Sequence, residues 1–399
     1  MKFEWKEYTI GDLCDTISDT YKRNDEEVIL INTSDVLDGN VLNHKAVKNK
    51  NLKGQFKKTF RHNDILYSEI RPANKRFAFV DFDNTEKYIA STKLMVLRAH
   101  EDVVLPQYLF AILKSQKVIE TLQHLAETRS GTFPQITFSS ELAPMNVMLP
   151  NIVTQKQIIA ILSVIECKIK LNNEINANLE QQAQAIFKSW FVDFEPFGGT
   201  IPETWFMTKL GDIASIKTTS FSPAKNPDVI LEHYSIPAFD KNKYPVFELA
   251  KEVKSNKYIL TSKSIMISKL NPNTKRVWRP MYLTEFAVSS TEFIIFEANN
   301  PIYKDFIYSI IDSVDFMDWM CAHTTGSTNS RQRTIPSTTL EFKVPIACDE
   351  IISEFCAIVS PMYDKISQNI CENQKLVKIR DTLLPKLMSG EIDVSDITI

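Results

Sequence analysis

The chain repeats itself at an interval of half its length. Residues 66–76 read LYSEIRPANKR and residues 266–276 read MISKLNPNTKR, an offset of 200. The same offset pairs Gly11-Asp12-Leu13 with Gly211-Asp212-Ile213. Ser91-Thr92 pairs with Ser290-Thr291, and Gly131 with Gly326. Solenoid units run about 20–50 residues, so a repeat this long describes whole domains. Two heads of one type are therefore expected, each with one copy of whatever joins them.

A helical seam comes after each head. Ile158, Leu162, Ile165, Ile169, Asn172, Asn176, Leu179, Ala183, Ile186 and Trp190 alternate spacings of four and three residues. So do Phe355, Val359, Met362, Ile366, Asn369, Asn373, Leu376, Arg380, Leu383 and Leu387, every one offset by 197. That spacing is a heptad seam, and each helix should be about 50–60 Å long. A pair of asparagines flanks the midpoint of each seam. Parallel and antiparallel pairing both align the four amides, but with equivalent heads attached at equivalent helix starts, antiparallel packing gives an approximate two-fold axis and sets the heads at opposite ends. Ile158 should then meet Leu387 rather than Phe355. The expected division is a head over 1–150, a helix over 151–196, a head over 197–345 and a helix over 346–395. Residues 195–203, with two prolines and two glycines, read as a linker.

Within each head the pattern is mixed α and β. Residues 64–69 and 88–98 read as strands, as do 258–267 and 286–296, from their β-branched and aromatic content. Residues 105–125 and 302–320 read as helices. The fold class expected is α+β, two repeated mixed domains separated by two long helices packed as an antiparallel coiled coil.

Charge and cysteine usage narrow the function classes. The net charge of −3 is spread as 0 over residues 1–150, −1 over 151–195, +2 over 196–345 and −4 over 346–399. Acidity thus sits in the helices and not in the heads, and local distribution matters more than the total for a nucleic-acid binder. The six cysteines and six histidines make no metal-ligand spacing and no disulfide framework. No run of 18 apolar residues occurs and the N-terminus lacks an apolar signal core, so a cytoplasmic protein without membrane contact is expected. No phosphate-binding glycine loop, zinc-protease helix, nucleophile elbow or defensible carboxylate cluster appears, so the chain reads as non-catalytic by itself, with no metal.

The candidate binding residues are basic or amide-bearing. Lys45, Lys48, Lys50, Lys53, Lys57, Lys58 and Arg61 fall within one stretch that holds no acidic residue, a density able to neutralise several phosphates. Lys75-Arg76 and Lys275-Arg276 sit at equivalent turns and are candidates for phosphate contact. Two polar loops are candidate base readers, since arginine suits guanine and glutamine or asparagine suits adenine. One holds Arg129, Ser130, Thr132 and Gln135. The other holds Asn329, Arg331, Gln332 and Arg333. The first helix ends in the apolar run Trp190, Phe191, Phe194, which fits a docking face for a partner; packing within the chain is the competing reading.

Residues 171–197, LNNEINANLEQQAQAIFKSWFVDFEPF, resemble the first conserved spacer region of the specificity subunits of type I restriction-modification systems, and residues 383–390, LLPKLMSG, resemble the second. Residues 131–136, GTFPQI, resemble a loop of that family near the base of a target-recognition domain. The resemblance covers essentially the full length. It implies two target-recognition domains that read the halves of a bipartite, asymmetric site in double-stranded DNA, held apart by the two conserved spacer helices. It implies two methyltransferase (modification) subunits as partners and up to two restriction/translocase subunits, with adenine methylation and restriction performed by them. S-adenosylmethionine, ATP and Mg would then belong to those partners and no cofactor to this chain. The alternative is a bivalent structural scaffold that bridges partner proteins without DNA recognition.

Overall fold

The most apolar runs of each head are strands covered on both faces. In the computed structural model, which describes residues 5–50, 54–129, 132–326 and 332–394, the chain divides into two units. One is Met1–Cys167 with Val377–Ile399, and the other is Lys168–Leu376.

In the first unit, an antiparallel sheet runs in the order Cys14–Ile17, Leu94–Ala99, Ile65–Ser68, Phe77–Phe79. Its two faces part the side chains by alternation. Ile65, Tyr67, Met95 and Leu97 turn to the helices Pro106–Leu113 and Gln116–Arg129, joining Tyr108, Leu109 and Ile112. Leu66, Leu94 and Val96 turn the other way, onto Ile31, Val36 and Ala90. Burial on both faces removes the polar alternation of a half-exposed strand. The second sheet runs Val47–Lys48, Glu27–Ile31, Tyr88–Ser91, Phe56–Lys58, with its central pair parallel.

The second unit repeats the plan. Ile265, Ile267, Ile294 and Phe296 face the helices Lys304–Ile311 and Val314–Ala322 with Phe306, Ile307 and Phe316. Met266, Phe293 and Ile295 pack with Tyr234, Leu260 and Trp278. Its second sheet has five strands, in the order Ser220–Phe221, Lys257–Ile259, Ala287–Ser289, Ile230–Tyr234, Val246–Leu249.

Several runs that read as single elements are two. Tyr88–Ser91 and Leu94–Ala99 lie in different sheets, and residues 286–296 divide likewise into Ala287–Ser289 and Phe293–Ala298. Continuous burial hides the turn between them. Each head helix is also broken, and at Ser313 the break is an N-cap whose Oγ accepts from Phe316 N.

The repeated Gly-Asp pair is architectural. Gly11 N donates to the Ala143 carbonyl and Gly211 N to the Leu340 carbonyl. A Cβ on either glycine would stand 3.2 Å from the Cβ of Ala143 or Leu340. Asp12 and Asp212 cap the short helices Ile10–Leu13 and Leu210–Ile213 by accepting from Thr9 N and Lys209 N.

The long helices are Ile152–Phe191 and Asp349–Met388, and they pack antiparallel. In the first unit Ile158 and Leu162 share a core with Leu384 and Leu387. In the second, Ala183, Phe187 and Phe191 share one with Ile352, Phe355 and Val359. Between these, still within the second unit, Asn172 Nδ2 donates to Asn373 Oδ1 at 2.9 Å and Asn369 Nδ2 to Asn176 Oδ1 at 2.8 Å. All four asparagines are buried. The residue numbers of each bonded pair add to the same total, as do those of Ile158 and Leu387. Asn172 Nδ2 also donates to Glu372 and Asn373 Nδ2 to Asn173, and buried amides paired in this way cost stability but fix register.

The buried face departs from the strict heptad list. Phe187 and Leu384 are buried, whereas Ile186, Trp190 and Leu383 are half-buried. An α-helix drifts about 20° per heptad against a 3.5-residue repeat. After four heptads that drift is about 80°, close to the ~100° between neighbouring residues, so the next residue takes over the seam.

Candidate nucleic-acid interface

In each unit two loops far apart in sequence are stapled together by the main chain. In the first, Arg71 N donates to the Pro134 carbonyl at 3.1 Å and Ile136 N to the Glu69 carbonyl at 2.8 Å. Ile70 and Gln135 form an antiparallel bridge. In the second, Asn271 N donates to the Gln332 carbonyl at 2.9 Å, Thr334 N to the Lys269 carbonyl at 3.0 Å, and Leu270 bridges Arg333. The repeated strand end and the polar loop beyond the head helices are thus one surface feature in both units.

Arg71 and Lys75 have left-handed backbones, φ 46° and 52°, on either side of the turn Pro72–Asn74. Asn271 has φ 49° at the position matching Arg71. Non-glycine residues in this region are uncommon and mark a backbone the surroundings impose. Here the cross-loop bonds impose it.

The candidate residues are used in different ways. Lys45, Lys48, Lys50, Lys57, Arg61 and Lys75 are exposed. Lys58 is half-buried, its Nζ donating to the Leu94 carbonyl at 2.8 Å, and burial lowers its pKa while Glu69 works against that shift. Arg76 turns inward, donating to the carbonyls of Ser34 and Val36. Lys275 pairs with Asp312 at 2.7 Å, and Arg276 holds Asp240 through Nε and Nη2 at 2.6 and 2.9 Å. Lys275 remains exposed beside Asp312, while Arg276 is half-buried against Asp240. Arg129 pairs with Glu141 at 3.0 Å, and Thr132 is exposed at the loop. Gln135 accepts from Lys93 Nζ at 3.4 Å. Arg333 grips Glu292 through Nε and Nη2 at 2.9 and 3.1 Å, a bond that raises its pKa. Gln332 is half-buried and gives its carbonyl to the staple. Lys53, Ser130, Asn329 and Arg331 lie outside the described residues.

Among the seam residues, Ile158, Leu162, Ile165, Asn172, Asn176, Phe191, Phe355, Val359, Ile366, Asn369, Asn373 and Leu387 are buried. Ile169, Leu179, Ile186, Trp190, Phe194, Met362, Leu376 and Leu383 are half-buried. The aromatic helix end is turned into its own unit instead of being offered as a docking face. Phe191 stands 4.7 Å from Phe306 and 5.1 Å from Phe355 between ring centroids, and Phe194 and Phe197 cover Trp205. A helix end this apolar gains more from a neighbouring core than from water.

Lys93 and Glu292 are among the residues of the surface feature that escaped the sequence reading. Each lies just past the repeated Ser-Thr pair and reaches the polar loop from about 40 residues away in the chain. Their signal was the repeat itself, aligned one residue beyond the matching pair.

Comparison with known proteins points the same way. Residues 2–181 match the family described as the type I restriction modification DNA specificity domain. The chain is 47% identical over 194 residues to the type I restriction enzyme HindI specificity subunit of Haemophilus influenzae, a match covering 48% of this chain and 42% of that relative's length. It is 27% identical over 317 residues to the MjaIX specificity subunit of Methanocaldococcus jannaschii, covering 74% of this chain and 71% of that one. The fold resembles a crystal structure of the type I restriction-modification system S subunit from M. genitalium, with a TM-score of 0.59 and 17% identity over 96% of each chain. Two mixed heads and two long antiparallel helices go with a sequence that is similar, over the residues matched, to type I restriction-modification specificity subunits.

Proposed function

We propose that the chain is the DNA specificity subunit of a type I restriction-modification complex. Each head reads one half of a bipartite, asymmetric site in double-stranded DNA. The observation that carries this reading is the doubled surface feature, two main-chain-stapled loops at the same place in both units, bearing lysine and glutamine in the first and arginine in the second. Such side chains on a fixed backbone are what base-edge readout requires. The exposed lysines between residues 45 and 57 would supply phosphate contacts in the first head. The relatives in H. influenzae and M. jannaschii are named specificity subunits, which supports the same assignment.

In this reading residues 1–150 and 197–345 are the target-recognition domains, and 151–196 and 346–395 are the spacer helices. The partners are two methyltransferase subunits and up to two restriction/translocase subunits, acting in the cytoplasm. Adenine methylation and cleavage are theirs, with S-adenosylmethionine, ATP and Mg. Among the described residues no group of His, Cys, Asp and Glu could hold a metal ion, and no helix is long and apolar enough to cross a membrane. Footprinting of the assembled complex tests the proposal. Two protected half-sites with a fixed gap are expected; sequence-indifferent protection would refute it and favour a scaffold.

A further inference from the structure

The two heads repeat one main-chain frame and reverse the charges mounted on it. Glu69 N donates to the Lys93 carbonyl at 3.1 Å, and Lys269 N to the Glu292 carbonyl at 2.9 Å. Ser68 Oγ accepts from Ile70 N and Ser268 Oγ from Leu270 N. Ser91 Oγ accepts from Lys93 N and Ser290 Oγ from Glu292 N, both at 3.3 Å. With the bridges Ile70–Gln135 and Leu270–Arg333, these bonds put three matched positions in one place in each unit. They hold Glu69, Lys93 and Gln135 in the first head and Lys269, Glu292 and Arg333 in the second.

The chemistry differs at every one of the three. In the first head Lys93 Nζ lies 3.5 Å from Glu69 Oε2 and 3.4 Å from Gln135 Oε1. In the second, Glu292 takes the Arg333 guanidinium in a two-bond grip. Stability does not demand this reversal, because pairs this exposed contribute about 0–1 kcal/mol and the frame is already closed by main-chain and serine bonds. What the reversal changes is the pattern of donors and acceptors presented beside the polar loop. A guanidinium held in a fixed plane suits the O6 and N7 acceptors of guanine. A glutamine whose carbonyl is engaged by a lysine does not present that fork.

We infer that these three matched positions determine which base pair each head prefers, Arg333 reading guanine while positioned by Glu292, and Gln135 with Lys93 reading a different base at the corresponding place in the other half-site. This rests on the reading of the heads as DNA readers, and it adds Glu69, Lys93, Lys269 and Glu292 as specificity-determining positions.

The test uses the full chain assembled with its methyltransferase subunits and a random duplex library, with the bound motif read by sequencing. The charge-swapped variants are Glu69→Lys with Lys93→Glu and Gln135→Arg, and Lys269→Glu with Glu292→Lys and Arg333→Gln. Each should change the preferred base in one half-site and leave the other half-site and the gap unchanged. Arg333→Lys keeps the charge but loses the fork, and should relax guanine preference roughly 10- to 100-fold at one base pair. Glu292→Ala should relax the same base pair and no other. These single substitutions keep the test alive if a triple variant fails to fold. Uniformly weaker binding with an unchanged motif would reduce the trio to a phosphate or structural role and overturn the inference, while leaving the heads as readers. A wild-type complex that selects no motif would remove both.

Discussion

The two heads differ least where the main chain bonds to itself and most where side chains bond to side chains. In the first unit the turn at residues 61–64 closes on a carboxylate, Arg61 N donating to Asp64, and Asp64 holds Arg98 at 2.7 and 2.8 Å. In the second, Thr261 N donates to Ser264 Oγ, and the acceptor opposite is Glu297, bound by Ser264 and Thr261. His100 N donates to the Leu13 carbonyl and its Nδ1 lies 3.0 Å from the Asp12 carbonyl; Asn299 makes the same two contacts to Ile213 and Asp212. Backbone geometry is set by bonds every residue can make, so it survives exchange of the side chains above it.

If that division holds, four measurements should show it, by hydrogen exchange resolved to each unit. Phe191→Ala should have the largest effect, a loss of about 3–5 kcal/mol in the second unit, with the first unit's core amides unchanged; an equal loss in both would mean that the units do not respond separately. Next comes the turn. Asp64→Ala strands Arg98 and should cost about 2–3 kcal/mol, whereas Ser264→Ala removes a neutral hydroxyl and should cost about 1 kcal/mol. Equal costs would erase the contrast between the heads. Gly11→Ala and Gly211→Ala should instead match each other, each at about 1–2 kcal/mol, since the added Cβ meets the same crowding in both units.

The smallest effect is on pH dependence, and its sign differs between the heads. The bond to Asp15 raises the pKa of His100, so its contribution is fully present below the unfolded value of about 6.5 and fades as pH rises through the folded one. Burial lowers the pKa of His233, so its contribution is present above the unfolded value and is lost as pH falls through the folded one. Lowering the pH past 6.5 should favour the first unit and disfavour the second. For the exposed His100 the change is about a few tenths of a kcal/mol. His100→Asn, the residue its counterpart carries, should flatten the first unit's response, and an unaltered slope would assign the dependence elsewhere.

Much of this was readable in the sequence because it repeats. The seam came from apolar spacing and its antiparallel direction from the equivalent attachment of the two heads, and its ends slipped by one residue because an α-helix does not keep a 3.5 period. The paired polar loops were readable as candidates; what held them was not. Lys275 and Arg276 were readable as a basic pair; their aspartate partners, Asp312 and Asp240, lie 37 and 36 residues away in the chain and were not. Local composition reports which charges exist, while the fold decides which of them are paired and how each is held. The aromatic run at Trp190 and Phe191 left two readings open, since an apolar helix end reads alike whether it meets a partner or its own core; Phe191 packs into its own unit.

The division of the chain carries one more consequence, for the order of synthesis. Residues 168–376 are contiguous, so the second unit has all its parts as soon as they are made. The first unit opens the chain but borrows its last wall from the other end: Leu384, Leu387 and Val394 complete its core, and Gly390, with φ 74°, sits against Trp5 where a Cβ would fall 2.6 Å from the indole nitrogen. Domains usually fold in the order in which they emerge. Here the segment before residue 168 must wait for one made after residue 376, and a nascent chain stalled near residue 376 would carry a finished second head behind an unsealed first one.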